Sequence, residues 1–412
     1  MKESEYDDNG SAYVSDSQDD AAVVGQNKDR LLTSDFVLAT LATFANAINM
    51  QMLFVTLPVY VITLGGNQAD AGLVSGIIAF TALLFRPFMG WLTDAWRRRP
   101  LTLIGTSCYG LASAVYLVAG SIPLLLLGRF VHGFGLCCYS TAANAYVADI
   151  APLGRRAEAM GLFSAAQAVG LIIAPVVGFF LIGTFGFQHL FYFAGGLALT
   201  SLLFSFFTRE RCNTSITKHP RWSPRTGILA IESLPVAWMA LCMGMAIGAT
   251  GAFIAIFAQS RGLVNPGLYF TIQAVALMVS RTFTGRLADR YGRAAVILPG
   301  IILMTISLLM LPLADGSPCF LISATLLGAG LGTAQPATMA LLIDRIQRER
   351  RGLAVGTYYA GFDSGISIGA ILLGMVSQHW GFAVMWLLAA AVTLLGLAGL
   401  LADRRYGTIT VK

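Results

Sequence analysis

The chain has 412 residues, of which 56% are hydrophobic and 12% charged, with a mean hydropathy of +0.71. A water-soluble domain carries about 25% charged and 45–50% apolar residues, so a globule covered by water is excluded and the solvent for most of the surface is lipid. The net charge of +6 and the pI near 9.1 matter less than where the charges sit, and no nucleic-acid partner is expected.

In chain order, residues 1–33 are acidic and rich in Ser, Asp and Asn, without the apolar core of a signal peptide. They read as a disordered cytoplasmic tail. Apolar segments long enough to span a bilayer core of about 30 Å then follow, separated by short loops of Gly, Pro or charge. The pattern predicts helices near 35–64, 71–93, 101–120, 123–149, 157–183 and 188–208, then near 227–258, 266–288, 294–314, 317–344, 352–377 and 381–403. This divides the chain into a six-helix bundle over 34–208, a polar linker over 209–226, a second bundle over 227–405 and a short cytoplasmic tail over 406–412. The fold class is therefore an all-α polytopic membrane protein with about twelve spans.

The halves are copies. Arg86, Gly90, Leu92, Asp94 and Arg98 recur as Arg281, Gly285, Leu287, Asp289 and Arg293, each 195 positions on. The same offset carries Asp149 to Asp344, Arg155 and Arg156 to Arg350 and Arg351, and Gly170 to Gly365. A constant offset means equal element and loop lengths in the two halves. Lys and Arg also cluster on one side: Arg97–Arg99, Arg155, Arg156, the linker, Arg286–Arg293, Arg345–Arg351, Arg404 and Arg405, against Arg261 on the other. By the positive-inside rule that side is cytoplasmic, as are both termini, and the expected location is the bacterial inner membrane.

The run Gly285-Arg286-Leu287-Ala288-Asp289-Arg290-Tyr291-Gly292-Arg293 resembles the loop motif Gly-x-Leu-Ala-Asp-Arg-x-Gly-Arg of the major facilitator superfamily. The copy beginning at Gly90 departs from it at Thr93, Ala95 and Arg97. The resemblance implies two six-helix bundles around a central cavity, alternating between inward- and outward-facing states. It also implies that Gly90, Asp94, Arg98, Gly285, Asp289, Arg290, Gly292 and Arg293 form gating loops. The glycines would allow close helix approach, and the carboxylates would face a helix N-terminus or an arginine. Asp149, Arg155, Arg156, Glu158 and Asp344, beside Asp94 and Asp289, are expected to form one cytoplasmic ion-pair network.

Charges at membrane depth need a reason, because each costs a few kcal/mol on insertion scales. Arg86 and Arg281, one turn before their glycines, read as interfacial residues that snorkel. Arg129 and Asp363 have no charged repeat partners: their counterparts are Ala324 and Ala168. Arg129-Phe130-Val131-His132-Gly133 resembles the superfamily's fourth-helix pattern Arg-x-x-Gln-Gly, where the arginine is associated with proton coupling; an arginine satisfied by helix-1 carbonyls is the alternative. His132 is a second proton candidate. Desolvation favours a neutral carboxyl, so Asp363 is a candidate proton carrier or cation site facing the cavity, the alternative being a carboxylate locked to an arginine.

Gly170, Pro175 and Gly178 in the fifth span resemble the antiporter motif of exporters, with Ala174 and Phe179 replacing two of its glycines. Pro175 kinks the span and the glycines permit close packing. Polar residues on apolar spans mark a candidate cavity: Asn46, Asn49, Gln51, Tyr139, Asn144, Gln167, Gln273, Gln335, Tyr358 and Tyr359. Amides and phenols suit a neutral or amphipathic organic substrate, although each could also be interhelical glue.

No metal-ligand spacing, nucleotide loop or nucleophile–base pair is evident, so no metal, no cofactor and no enzymatic activity are expected, and the energy source is a gradient. The leading expectation is a monomeric, proton-coupled exporter of small organic compounds, either drugs or an endogenous metabolite such as a metallophore. A proton-coupled importer is the alternative, and a non-transporting receptor on a transporter fold the alternative of another class.

Overall fold

Helix ends fall where glycine, proline and capping side chains interrupt the apolar runs. The computed structural model describes residues 31–209, 230–263, 265–347 and 350–407; nearly all of the N-terminal tail, most of the 209–226 linker and the last residues of the C-terminal tail lie outside them. The first half comprises α1 (Ser34–Thr63), α2 (Gln68–Ala95), α3 (Arg98–Val118), α4 (Ile122–Ile150), α5 (Arg156–Phe185) and α6 (Phe187–Phe207). The second comprises α7 (Leu234–Ser260), α8 (Pro266–Tyr291), α9 (Arg293–Met310), α10 (Ser317–Arg345) and a run Arg351–Gly407. That run is non-helical at Gly381 (φ 80°, ψ 170°), a conformation glycine adopts without penalty. The arm before it is α11 and the arm after it α12.

Local chemistry sets these ends. The Thr33 side chain accepts from the Phe36 N–H to start α1, and Asn67 and Asp70 form a reciprocal capping box that starts α2, satisfying donors a helix N-terminus leaves open. Ten helices are long and apolar enough to cross a bilayer. One of them is the run broken at Gly381, and α8 has the length but is made too polar by Arg281, Arg286, Asp289 and Arg290. Counting these as crossings gives the expected twelve among the described residues, none of which forms a strand.

In the most apolar window of each helix, 89% of α7 and 72% of α1 are buried, against 28% of α5. α7 and α1 are therefore central, and the large exposed apolar residues, Leu203, Phe207, Leu372 and Leu395 among them, are on the outside, where lipid is the solvent. Packing repeats with the sequence: α3 lies on α4 and α2 on α4 in the first half, α9 on α10 and α8 on α10 in the second. A Cβ at Gly133 would come within 2.7 Å of the Ile78 carbonyl oxygen, and one at Gly328 would collide with the carbonyl of Gln273. Both pairs are related by the 195-residue offset, so the same backbone approach is built twice.

Candidate functional site

The halves meet along α2–α11, α5–α8 and α1–α7, and the closest of these contacts lie away from the arginine-rich loops. A Cβ at Gly72 would clash with the Ala370 carbonyl, and one at Gly76 would lie 2.8 Å from that of Ser367. Beyond them the Gln68 N–H donates to Gln378 Oε1 at 3.1 Å, and Ser377 Oγ donates to Gln68 Oε1. Phe54 on α1 presses on Gly251 of α7, and Phe179 on α5 stacks on Phe270 of α8, with centroids 6.5 Å apart.

Gly170, Pro175 and Gly178 belong to this region. Gly170 lies against Ala47 and Gly178 against Met52, both on α1, while the Pro175 carbonyl faces Gly267 of α8. Thr271 on α8 makes a long 3.5 Å hydrogen bond to the Ile172 carbonyl, beside the proline that interrupts the α5 ladder.

The arginine-rich end is different. Gly90 and Gly285 were expected to allow close helix approach, yet a Cβ on either would meet nothing within 4 Å. In this conformation they face open space and approach no neighbour. The same is true of Gly161 and Gly356.

The two repeated loops take different paths to the same ion pair. α8 ends at Gly292, whose φ of 90° turns the chain straight into α9. The first loop has Arg97 in place of that glycine, and Trp96 and Arg97 are extended instead (φ −126° and −71°). Arg98 Nε nevertheless lies 3.2 Å from Asp149 Oδ2, and its repeat partner Arg293 Nε lies 3.1 Å from Asp344 Oδ2. Arg293 also contacts Asp289 Oδ1 at 2.5 Å, and the Arg290 guanidinium lies over Tyr291. The side chain of Asp94 lies outside the described residues.

The expected single network takes a more local form. Arg155 binds Glu158 through two 2.8 Å hydrogen bonds, Arg156 donates to the Ala148 carbonyl, and Asp149 and Asp344 find arginines within their own halves. The physical reason is reach: with the halves parted at this end, a side chain meets its own bundle first.

Arg86 corrects the interfacial reading. It does not snorkel: its Nη2 lies 2.8 Å from Asp363 Oδ2, so α2 of one half is tied to α11 of the other. The guanidinium also lies 5.9 Å from the centroid of the Tyr359 ring. Asp363 thus has the arginine partner that the alternative reading foresaw, with side-chain exposures of 33% for Arg86 and 13% for Asp363. Arg281, read with Arg86 as interfacial, instead donates to Gln335 Oε1 on α10.

Arg129 and His132 are fully buried inside the first half and do not themselves line the cavity described below. Arg129 Nη2 donates to the Leu53 carbonyl of α1 at 3.2 Å, as the structural alternative anticipated. Tyr116 Oη lies 3.3 Å from His132 Nδ1, and the Tyr109 ring packs edge-on against the imidazole at 4.5 Å.

A cavity of about 130 Å³ opens between α1, α3, α4 and α5, lined by Asn46, Gln51, Tyr139, Asn144 and Gln167 of the expected residues, together with Thr43, Tyr109, Ser140 and Phe163. Tyr139 Oη and Thr43 Oγ1 are 2.8 Å apart, and Asn144 Nδ2 donates to the Ser140 carbonyl. Ligand sites are usually about 300–1,000 Å³, so this cavity is small, and all of its lining comes from the first half. Asn49 does not line it: three residues past Asn46 on the helix, it turns toward α6 and donates to the Ala194 carbonyl at 2.7 Å. Tyr358 is fully buried, its hydroxyl 3.4 Å from the Gln335 carbonyl, whereas Tyr359 is 39% exposed. Gln273 lies on α8 with its carbonyl against Gly328. Arg86, Arg281, Thr43 and Tyr109 were not foreseen as site residues. The repeat carried the signal for the arginines, a positive charge kept at the same membrane depth in both halves.

Two homologous helical bundles in a membrane, packed tightly against each other at one end and with a cavity bearing amides and phenols in the first of them, have the architecture of a membrane transporter. The chain belongs to the Major Facilitator Superfamily, which it matches over residues 39–269 and 264–410. It is 27% identical over 377 residues to the multidrug resistance protein MdtG of Serratia proteamaculans, covering 87% of this chain and 90% of that one. It is 24% identical over 385 residues to the staphylopine export protein of Staphylococcus aureus, covering 87% and 92%. The fold resembles the crystal structure of the nucleoside transporter NupG with a TM-score of 0.77 at 14% identity, covering 90% of this chain and 99% of that one.

Proposed function

We propose that the protein is a secondary exporter that moves small organic compounds out of the cytoplasm by alternating access, exchanging them for protons. The observation that carries the reading is the pairing of a sealed end with an open one. The seal is formed by Gly72, Gly76, Gln68 and Gln378, and the opening lies at the end that carries the arginine-rich loops. The positive-inside rule assigns that end to the cytoplasm, which makes this the inward-facing state of a carrier in the bacterial inner membrane. The similarity to proteins named for drug resistance and for staphylopine export supports the outward direction.

Asp363 is the carboxylate we assign to coupling. It lies on α11 at the interface between halves, where its ion pair with Arg86 must be remade or released as α2 and α11 move. Protonation would remove the charge that holds Arg86, so proton binding and the inter-half contact are linked through one atom pair. Substrate would enter against the wall of Asn46, Tyr139 and Gln167, whose amides and phenol orient a ligand inside an otherwise apolar cleft.

The test is transport in sealed inside-out vesicles with an imposed pH gradient and a panel of fluorescent drugs. Accumulation driven by an acidic lumen, and abolished by collapsing the gradient, is the expected result. Uptake only in right-side-out vesicles along the proton gradient would identify an importer instead. Gradient-independent equilibration would overturn the coupling.

A further inference from the structure

The inter-half cleft holds more positive charge than its carboxylate balances. Arg86 lies nine residues before the end of α2 and Arg281 ten before the end of α8, which at 1.5 Å per residue places both about 14–15 Å from the arginine-rich ends of their helices, inside the membrane-spanning stretch. Arg86 is matched by Asp363. Arg281 is not matched by a carboxylate among the described residues: its hydrogen bond goes to the neutral amide of Gln335, and the Tyr358 and Tyr359 phenols are within its electrostatic reach. Tyr359 is shared, since the Arg86 guanidinium also lies against its ring.

The arrangement is not a buried structural arginine of the Arg129 kind. Arg281 is exposed, as is Tyr359, and both neighbours come from α10 and α11. A guanidinium at this depth with no counter-charge is costly, and its planar fork matches a carboxylate through two parallel hydrogen bonds. The Gln335 amide fixes one edge of the group and leaves the other N–H donors free for a ligand.

We propose that Arg281, oriented by Gln335 and bordered by Tyr359, is a subsite for a carboxylate group on the transported compound, with the Arg86–Asp363 pair as its neighbour across the cleft. This rests on the transport reading above and narrows it: the favoured substrates are amphipathic organic acids or zwitterions rather than neutral compounds or simple cations. The rest of the molecule lies toward the wall of Asn46 and Tyr139.

The test uses two probes with the same fluorophore, a rhodamine bearing a free benzoate carboxylate and its ethyl ester, and the full-length protein in lipid nanodiscs. Fluorescence anisotropy of wild type is expected to give tighter binding of the acid. In Arg281→Gln the acid should weaken at least tenfold and the ester change less than twofold, while Arg281→Lys should recover part of the acid affinity. An equal loss for both probes would mean that Arg281 only supports the fold, and no preference for the acid in wild type would overturn the subsite. Vesicle transport of the ester separates the two readings: if gradient-driven ester transport persists while acid binding ignores Arg281, the exporter stands and the subsite falls. If neither probe is transported yet the acid preference depends on Arg281, the subsite stands and the exporter reading falls.

Discussion

Arg86 on α2 and Asp363 on α11 form an ion pair of 2.8 Å between two halves that are otherwise related by an internal repeat. The repeat gives each half an arginine at this depth, Arg86 and Arg281, but places the carboxylate in the second half alone, opposite Ala168 in the first. An asymmetric charge on a symmetric scaffold is what a device needs if the two ends of its cycle are to differ in energy. Because the pair crosses the interface between halves, the proposed coupling would make it respond to both protonation and conformation.

Substituting Asp363→Asn should therefore slow gradient-driven transport at least tenfold and flatten its pH dependence. Arg86→Gln should slow it as well, and the double variant should do no further harm. A coupling of about 0.5–3 kcal/mol between the two positions is the range for side chains in contact. Vesicle transport rates of the two single variants and the double variant check this; strictly additive effects would mean that the pair does not act as a unit.

Gly72→Leu should disturb the conformational balance without unfolding either bundle. Any side chain at Gly72 meets the Ala370 carbonyl across the α2–α11 seam, a contact between halves rather than within one. The sealed end would be forced apart, so cysteines placed near Gln68 should become at least severalfold more reactive to a membrane-impermeant maleimide from that side. Unchanged labelling would show that the seam tolerates the side chain.

Asp149→Asn and Asp344→Asn should cost little stability. Their pairs with Arg98 and Arg293 are partly exposed, with carboxylate exposures of 38% and 53%, and pairs of that kind contribute about 0–1 kcal/mol. Unfolding midpoints should shift only slightly, and the two effects should be similar because the two geometries are. A large loss in one variant alone would show that the halves use the repeated pair differently.

In the cavity wall, Tyr139→Phe removes the hydroxyl that meets Thr43 Oγ1 at 2.8 Å. Stability should fall by about 1 kcal/mol, the net worth of a typical hydrogen bond. Asn46→Ala should raise the apparent KM for transported compounds while leaving the folded yield intact. A change in maximal rate with KM unaltered would place Asn46 outside the substrate path.

Much of this protein was written in its sequence. Composition determined the solvent, apolar length and Gly, Pro and charge breaks determined twelve crossings, and a 195-residue offset determined that two bundles would be built alike. These properties are local or periodic, so they survive in a one-dimensional string. The turn at Gly292, with its φ of 90°, is local in the same way, since one glycine imposes it.

Tertiary structure alone decided who partners whom. Arg86 and Asp363 are 277 positions apart, and nothing in either neighbourhood names the other. Asn46 and Asn49 look equivalent as letters and stand only about 60° apart around α1, yet one lines a cavity and the other holds α6, because the neighbouring helices decide which way each side chain is taken up. Gly90 and Gly285 read as packing glycines but meet open space here, because packing at a gate depends on which state the two halves occupy. Sequence periodicity carries the bundles, whereas the contacts between them depend on how two rigid bodies are inclined, a global variable that no short stretch of chain encodes.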